Sequence, residues 1–154
     1  YYFIYVPMVA LIYWVGIRWL MHRPEQTKEK REALLAPVEL AAQVERLKSV
    51  MQTDKPYLAS DLSLKTLAIK MGLPINHLSF VLNEGFSKNF NEFVNEYRVE
   101  EVCRKLQDAS FDHLTIAGVA LASGFKSVPT FQRTFKQMKG VTPKTFKSGK
   151  VVRN

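Results

Sequence analysis

Hydrophobic residues recur at helical spacing over most of the chain, without a strand-like alternation of any length. The first helix of this pattern is predicted to begin at Pro37 and to end near Asp54, because Pro56 disfavours helix at the residue before it. Its apolar face is formed by Leu40, Val44, Leu47 and Met51. The chain after its N-terminal segment is therefore predicted to be all-α.

A pair of short helices separated by a glycine comes next and predicts a helix-turn-helix. Ser63 is placed to cap the first helix, and Gly72 is placed to end it in a left-handed turn. Pro74 opens the second helix, over 75–84, which carries its expected core contacts on one side. These contacts are Leu78, Val81 and Leu82.

A long helix predicted over 90–109 leads to a second pair of short helices. Thr115 caps the first of them, Gly124 makes the turn, and Thr142-Pro143 starts a last capped turn of helix through Phe146. An apolar residue and an alanine precede Gly124 at the same spacing at which they precede Gly72. Such self-similarity indicates tandem units. The predicted fold class is thus all-α, with two helix-turn-helix subdomains joined by a connector helix.

The helix after Gly124 is predicted over 128–138, with Ser127 as its cap and with Phe131, Phe135 and Met138 as its core contacts. In a helix-turn-helix this second helix enters the major groove of DNA, so its outward side chains meet the bases. The base-reading candidates are Arg133, Gln132, Val128 and Thr130.

Arg133 is the first of these candidates, because the guanidinium fork can bind O6 and N7 of guanine together. The alternative is that Arg133 only neutralises a phosphate. Contacts with phosphates are expected from Lys126, Ser127, Lys136 and Lys144. For Ser127 the alternative role is that of a helix cap alone.

The second helix of the first pair offers weaker chemistry for reading DNA. Asn76 and Ser79 are its base-reading candidates, since both side chains can form hydrogen bonds with base edges. Phe80 and Glu84 add an apolar ring and a negative charge to the same helix. This half is therefore expected to contribute less affinity.

The basic charge of the chain is concentrated at its C-terminal end. The net charge is +8, and no acidic residue occurs between His113 and Asn154. A segment of this kind is expected to face a polyanion such as DNA. The chain has one cysteine, Cys103, which excludes an intramolecular disulfide and is expected to be a packing residue.

The segment 1–21 is apolar apart from Arg18 and is about as long as the 20 residues that span a bilayer. Basic residues follow it, so the positive-inside rule would place 22–154 in the cytoplasm. A buried core helix is the alternative, since Pro7 and Arg18 interrupt the run. A signal peptide fits less well, because no basic region precedes the run and no cleavage site follows it. The prediction is a transmembrane helix in the cytoplasmic (inner) membrane, the last span of a longer membrane region.

The second helix pair resembles the AraC/XylS family of bacterial transcription regulators. The matching residues are Gly124-Phe125, Phe131-x-Arg133-x-Phe135-Lys136, Gly140 and Thr142-Pro143-x-x-Phe146, and the resemblance extends over about 40–147. It departs at Pro74, where the family has a serine-type cap, and at Phe80, where a basic residue is frequent. The resemblance implies sequence-specific DNA binding, with a signal-sensing region elsewhere in the chain.

These inferences give one organisation of the chain. Its segments are a transmembrane helix over 1–21, a juxtamembrane linker over 22–36, a DNA-binding domain over 37–148 and a basic tail over 149–154. The domain divides into a first helix-turn-helix over 37–89, the connector over 90–109 and a second helix-turn-helix over 113–148.

The expected partners are double-stranded DNA, the lipid bilayer through 1–21, a second copy of the chain in a homodimer and, for an activator, RNA polymerase. No cofactor or metal site is expected, and an enzyme is excluded because the three histidines are scattered and no phosphate-binding loop is present. The alternative function is a membrane-tethered protein-interaction module with weak or no specific DNA binding.

Overall fold

The computed structural model describes residues 8–9, 11–15, 17–18 and 37–149. These residues divide into two compact units, with the boundary between Glu39 and Leu40. In the first unit the described residues are helical and their large apolar side chains are exposed. The linker predicted over 22–36 and all of the basic tail except Gly149 lie outside the described residues.

The prediction of a membrane location is wrong. Among the residues that the structure describes, no helix combines the length and the apolar character needed to cross a bilayer. A transmembrane helix requires about 20 consecutive apolar residues in helical conformation. Apolar composition alone, with Pro7 and Arg18 inside the run, was therefore an insufficient basis for the transmembrane helix and the bilayer partner.

Between residues 37 and 149 the structure consists of helices and turns without a strand, as the sequence predicts. The α-helices are α1 (Pro37–Thr53), α2 (Leu64–Met71), α3 (Ile75–Phe80), α4 (Phe90–Gln107), α5 (Ile116–Leu121), α6 (Val128–Lys139) and α7 (Pro143–Lys147). Short 3-10 turns occupy Pro56–Leu58 and Ala109–Phe111, and a π-helical turn occupies Val81–Gly85. Helix α4 is the connector between two helix-turn-helix motifs.

Three of the predicted caps are confirmed as side-chain hydrogen bonds. In each, the hydroxyl group accepts a hydrogen bond from a backbone N–H group three residues later. The capping residues are Ser63 of α2 (3.1 Å), Thr115 of α5 (3.0 Å) and Thr142 of α7 (3.2 Å). Ser127 occupies the cap position of α6, but its hydroxyl donates to the hydroxyl of Thr130 instead. Pro129 has no N–H group, which removes one of the two usual partners of a cap.

The helix predicted over 75–84 is divided, because α3 changes into the π-helical turn after Phe80. This turn ends at Gly85, where a Cβ atom would overlap the Cγ2 atom of Val44 on α1. The first helix-turn-helix therefore packs closely against α1, with Leu47 and Met51 fully buried between them and the rest of the core.

The second helix-turn-helix has an aromatic core that α4 completes. Its buried residues are Val99, Val102, Leu106, Val119, Ala120, Phe125, Phe131 and Phe135. Cys103 packs against this core, as the sequence predicts, and burial raises the pKa of its thiol. Met138 was expected in the same core, but its side chain is 40% exposed. It lies in the last turn of α6, beyond the end of the aromatic cluster.

Candidate nucleic-acid interface

Helix α6 is attached to the protein along one side by aromatic rings. Phe131 contacts Phe125 and Phe135 edge to face, with ring centroids 5.2 and 5.6 Å apart. Phe135 also contacts Phe146 of α7, at 5.5 Å. Edge-to-face pairs of this kind add to the stabilisation from burial. The other side of α6 is held in a fixed orientation and is open to solvent.

A groove of about 680 Å³ runs along the exposed side of α6. The starts of α5 and α7 form its other walls. Its lining residues are Thr115, Ile116, Ala117, Val128, Phe131, Gln132, Arg133, Lys136, Thr142, Pro143 and Lys144. Cationic, amide and hydroxyl groups thus surround a mostly apolar floor. Side chains of these types can contact both phosphates and base edges.

The groove brings together half of the side chains that the sequence singled out. Val128, Gln132, Arg133, Lys136 and Lys144 line it. Three further candidates belong to the second helix-turn-helix. Lys126 and Ser127 precede α6, and Thr130 lies on another side of that helix.

Apart from Lys144, sequence reasoning missed the wall residues that α5 and α7 contribute. Thr115 and Thr142 line the groove as well as capping these helices. The sequence did predict that both residues cap a helix. What the pattern did not show is that the two capped helix starts lie beside α6.

The cations near the groove have no acidic partners within the described part of the chain. Lys126, Arg133, Lys136 and Lys144 form no salt bridge there, whereas Lys147 pairs with Asp112 over 3.1 Å. Charges without a partner remain available to a polyanion. The positive charge predicted from the sequence is therefore directed at the groove rather than neutralised within the domain.

The first helix-turn-helix has different chemistry. Ser79 is half-buried and lines a smaller groove of about 330 Å³, together with Asn83, Asn89 and Asn91. Asn76 is exposed but does not line this groove. Amide and hydroxyl groups dominate, and none of the described lining residues is basic. A role of this half in DNA binding would rest on hydrogen bonds rather than on charge.

Buried charged residues on the connector α4 fix the end of α5. Lys105 donates to the carbonyl oxygen of Ala122 over 2.8 Å and lies 3.5 Å from the carboxylate of Glu101. Arg104 forms two hydrogen bonds with the same carboxylate. These bonds are the main reason why the pKa of Glu101 is lowered, and the neighbouring cations add to the effect. The sequence did not indicate this network, since charged residues on a helix are usually solvated.

Comparison with known proteins matches this region to a described family. Residues 67–149 match the model of a helix-turn-helix domain. An uncharacterized HTH-type transcriptional regulator of Staphylococcus aureus (strain COL) is 38% identical over 87 residues, which is 56% of this chain and 11% of the relative. The probable transcription factor PqrA of Proteus vulgaris is 30% identical over 86 residues, which is 56% of this chain and 68% of the relative. The chain thus spans about a tenth of the Staphylococcus relative.

Solved structures show the same fold. One is the C-terminal domain of AraT, a response regulator from Geobacillus stearothermophilus, with a TM-score of 0.60 and 23% identity over 78% of this chain and 91% of that chain. Another is a transcriptional regulator with an AraC-type DNA-binding domain from Chromobacterium violaceum. Its TM-score is also 0.60, with 20% identity over 74% of this chain and 96% of that chain.

Proposed function

The chain belongs to the AraC-type family of helix-turn-helix transcriptional regulators, and on this basis we propose that it reads a specific DNA sequence with two recognition helices, α3 and α6. The family and the fold are those of DNA-binding regulators and not of enzymes. The proposed DNA-binding domain covers 37–148. Activation of transcription would add RNA polymerase as a partner, and a homodimer would double the number of recognition helices.

The observation that carries this proposal is the groove beside α6. Arg133 and Lys136 line it from the exposed face of α6, while the buried rings of Phe131 and Phe135 hold the helix in the core. A recognition helix needs this division, since one side must be anchored and the other must reach base edges. Lys144 at the start of α7 supplies a further cation at the groove wall.

Each groove residue then has a distinct role in the proposal. Arg133 reads a guanine through its two-pronged guanidinium group, and Gln132 bonds to an adjacent base. Lys136 and Lys144 hold the phosphates that flank the groove, together with Lys126. The first helix-turn-helix adds Asn76 and Ser79 as weaker readers. Two recognition helices in one chain would enter major-groove segments about 34 Å apart on one face of the duplex.

Selection from a random pool of DNA duplexes, with the 154-residue chain at moderate salt, tests this function. We expect one enriched sequence with two conserved blocks. Binding to it should weaken with salt, because each neutralised phosphate releases counterions. Three phosphate-binding lysines would give a log–log slope of about −2.7, or roughly a fortyfold loss between about 50 and about 200 mM salt. The absence of enrichment, with binding insensitive to salt, would instead indicate a protein-interaction module.

Two substitutions on α6 should separate base reading from phosphate binding. Arg133→Ala should cost about 1–3 kcal/mol on the selected sequence and relax the preference at one or two positions. Lys136→Ala should weaken all sequences alike and reduce the salt slope by about one. Equilibrium titrations on the selected duplex and on single-base variants of it measure both effects.

The matched control is Lys48→Ala, which removes one positive charge outside the groove, where Lys48 pairs with Glu45 over 2.7 Å. This variant should bind like the unmodified chain. Equal losses for Arg133→Ala and Lys136→Ala on every duplex would show that Arg133 contacts only phosphate.

A further inference from the structure

A buried arginine lies at the centre of the connector helix α4. Arg98 is 8% exposed, and burial lowers the pKa of its guanidinium group. Its Nε atom donates to the carbonyl oxygen of Tyr57 over 2.8 Å, and its Nη2 atom donates to the carbonyl oxygen of Ala59 over 2.9 Å. Within the described residues it has no carboxylate partner. Burying a positive charge is costly, and backbone carbonyls are the partners that stabilise this one. Such a residue is expected to have a specific structural role.

The same carbonyl group is the point where the second helix-turn-helix meets the first half of the chain. A Cβ atom at Gly124 would overlap the carbonyl oxygen of Tyr57 and would lie 2.9 Å from Nε of Arg98. The backbone of the turn between α5 and α6 therefore rests directly on Tyr57 and Arg98. We call Tyr57, Arg98 and Gly124 the junction.

Each side of the junction is tied to one of the two helix-turn-helix motifs. On the first side, Lys70 of α2 pairs over 2.8 Å with Asp54, which closely precedes the turn that contains Tyr57. On the second side, Lys105 of α4 donates to the carbonyl oxygen of Ala122, two residues before Gly124. The chain from Asp54 to Tyr57 and these contacts thus connect α2 to the turn before α6.

We propose that Arg98 is a positioning residue that fixes the distance and orientation between α3 and α6, and with them the spacing of the two DNA segments that the protein accepts. The inference rests on the proposed function for its DNA consequence, but its structural part can be tested without DNA. Arginine suits this role because its planar fork holds two acceptors in one fixed geometry. The side chain reaches neither groove and acts only through the junction.

The structural part is tested by measuring the distance between spin labels on the two halves. Labels are attached through Lys65→Cys on α2 and Gln137→Cys on α6, both exposed positions, after Cys103→Ala removes the native thiol. The 154-residue chain should give a narrow distance distribution by pulsed electron paramagnetic resonance. Arg98→Met should broaden the distribution, because the halves lose their common anchor.

Arg46→Met is the matched control, since Arg46 is an exposed arginine on α1. It should leave the distribution unchanged. A folded Arg98→Met variant, as judged by circular dichroism, with the unmodified distribution would overturn the proposal. If Arg98→Met does not fold, Arg98→Lys takes its place, because lysine keeps the charge but lacks the fork. A narrow, unshifted distribution for the folded lysine variant would likewise refute a positioning role.

The DNA part compares duplexes in which the two selected blocks are moved apart or together by one base pair. The unmodified chain should prefer one spacing, and Arg98→Met should lose about tenfold in affinity at that spacing, equivalent to about 1.4 kcal/mol. Affinity for a duplex carrying only the block read by α6 should not change. An unchanged spacing preference in the variant contradicts the proposal. If the unmodified chain selects no sequence, the proposed function fails, while the label distances still decide the role of Arg98.

Discussion

Gly124→Ala should destabilise the domain by about 2–5 kcal/mol. The backbone at Gly124 has φ +92°, a conformation that costs an L-residue about 1–2 kcal/mol. The new methyl group would also overlap the carbonyl oxygen of Tyr57, and forcing an extra carbon into a packed site costs about 1–3 kcal/mol. Urea unfolding followed by circular dichroism gives the free energy of unfolding for both proteins.

The chain offers a control that separates these two causes. Gly140 ends α6 with φ +72°, but no atom lies within 4 Å of a Cβ placed there. Gly140→Ala should therefore lower the free energy of unfolding only by the cost of the left-handed backbone, about 1–2 kcal/mol. If the two alanine variants lose the same free energy of unfolding, the overlap of the new methyl group with Tyr57 adds no cost, and the close approach of Gly124 to Tyr57 does not require a glycine.

Gly124 also shows what a sequence pattern can and cannot predict. Its position between two short helices predicts a left-handed turn, as it does for Gly72, and both residues have positive φ angles. The caps at Ser63, Thr115 and Thr142 are predictable for the same reason, because a cap and its partner lie within three residues of each other. Local chemistry therefore gives the order and the boundaries of most helices.

Contacts between distant residues are not predictable in this way. Arg98 lies 41 residues from its partner Tyr57, and Lys105 lies 17 residues from Ala122. In the sequence both residues look like exposed charges on a helix. The structure buries them, because the backbone carbonyls at two turns require donors that the apolar side of α4 does not provide. The junction is therefore visible only once the helices are packed.

The candidate interface likewise has one part that the sequence predicts and one part that it does not. Helical periodicity places Gln132, Arg133 and Lys136 on the outer side of α6, and they line the groove. The walls at Thr115 and Thr142 depend on how α5 and α7 approach α6, which is a tertiary property. Periodicity also gave a wrong result at Met138, because a helical stripe continues in sequence after the core that it faces has ended.

Phe135→Ala should be among the most destabilising truncations on α6. Phe135 is fully buried between Phe131 and Phe146, with ring centroids 5.6 and 5.5 Å away. Replacing a buried phenylalanine by alanine costs about 3–5 kcal/mol, through lost burial and the cavity that remains. Domains of this size have a total stability of about 5–15 kcal/mol, so a large share of it would be lost. Affinity for the selected DNA should fall as well, because α6 and α7 lose their shared anchor.

Met138→Ala on the same helix is the matched control. Its side chain is 40% exposed, so its truncation removes little buried area and should cost less than about 1 kcal/mol. Urea unfolding measures both variants, and titration with the selected duplex at a temperature where each is folded measures their affinity. The aromatic cluster is the anchor of the recognition helix only if Phe135→Ala weakens binding far more than Met138→Ala. Similar losses for the two variants would mean that α6 keeps its orientation without the cluster.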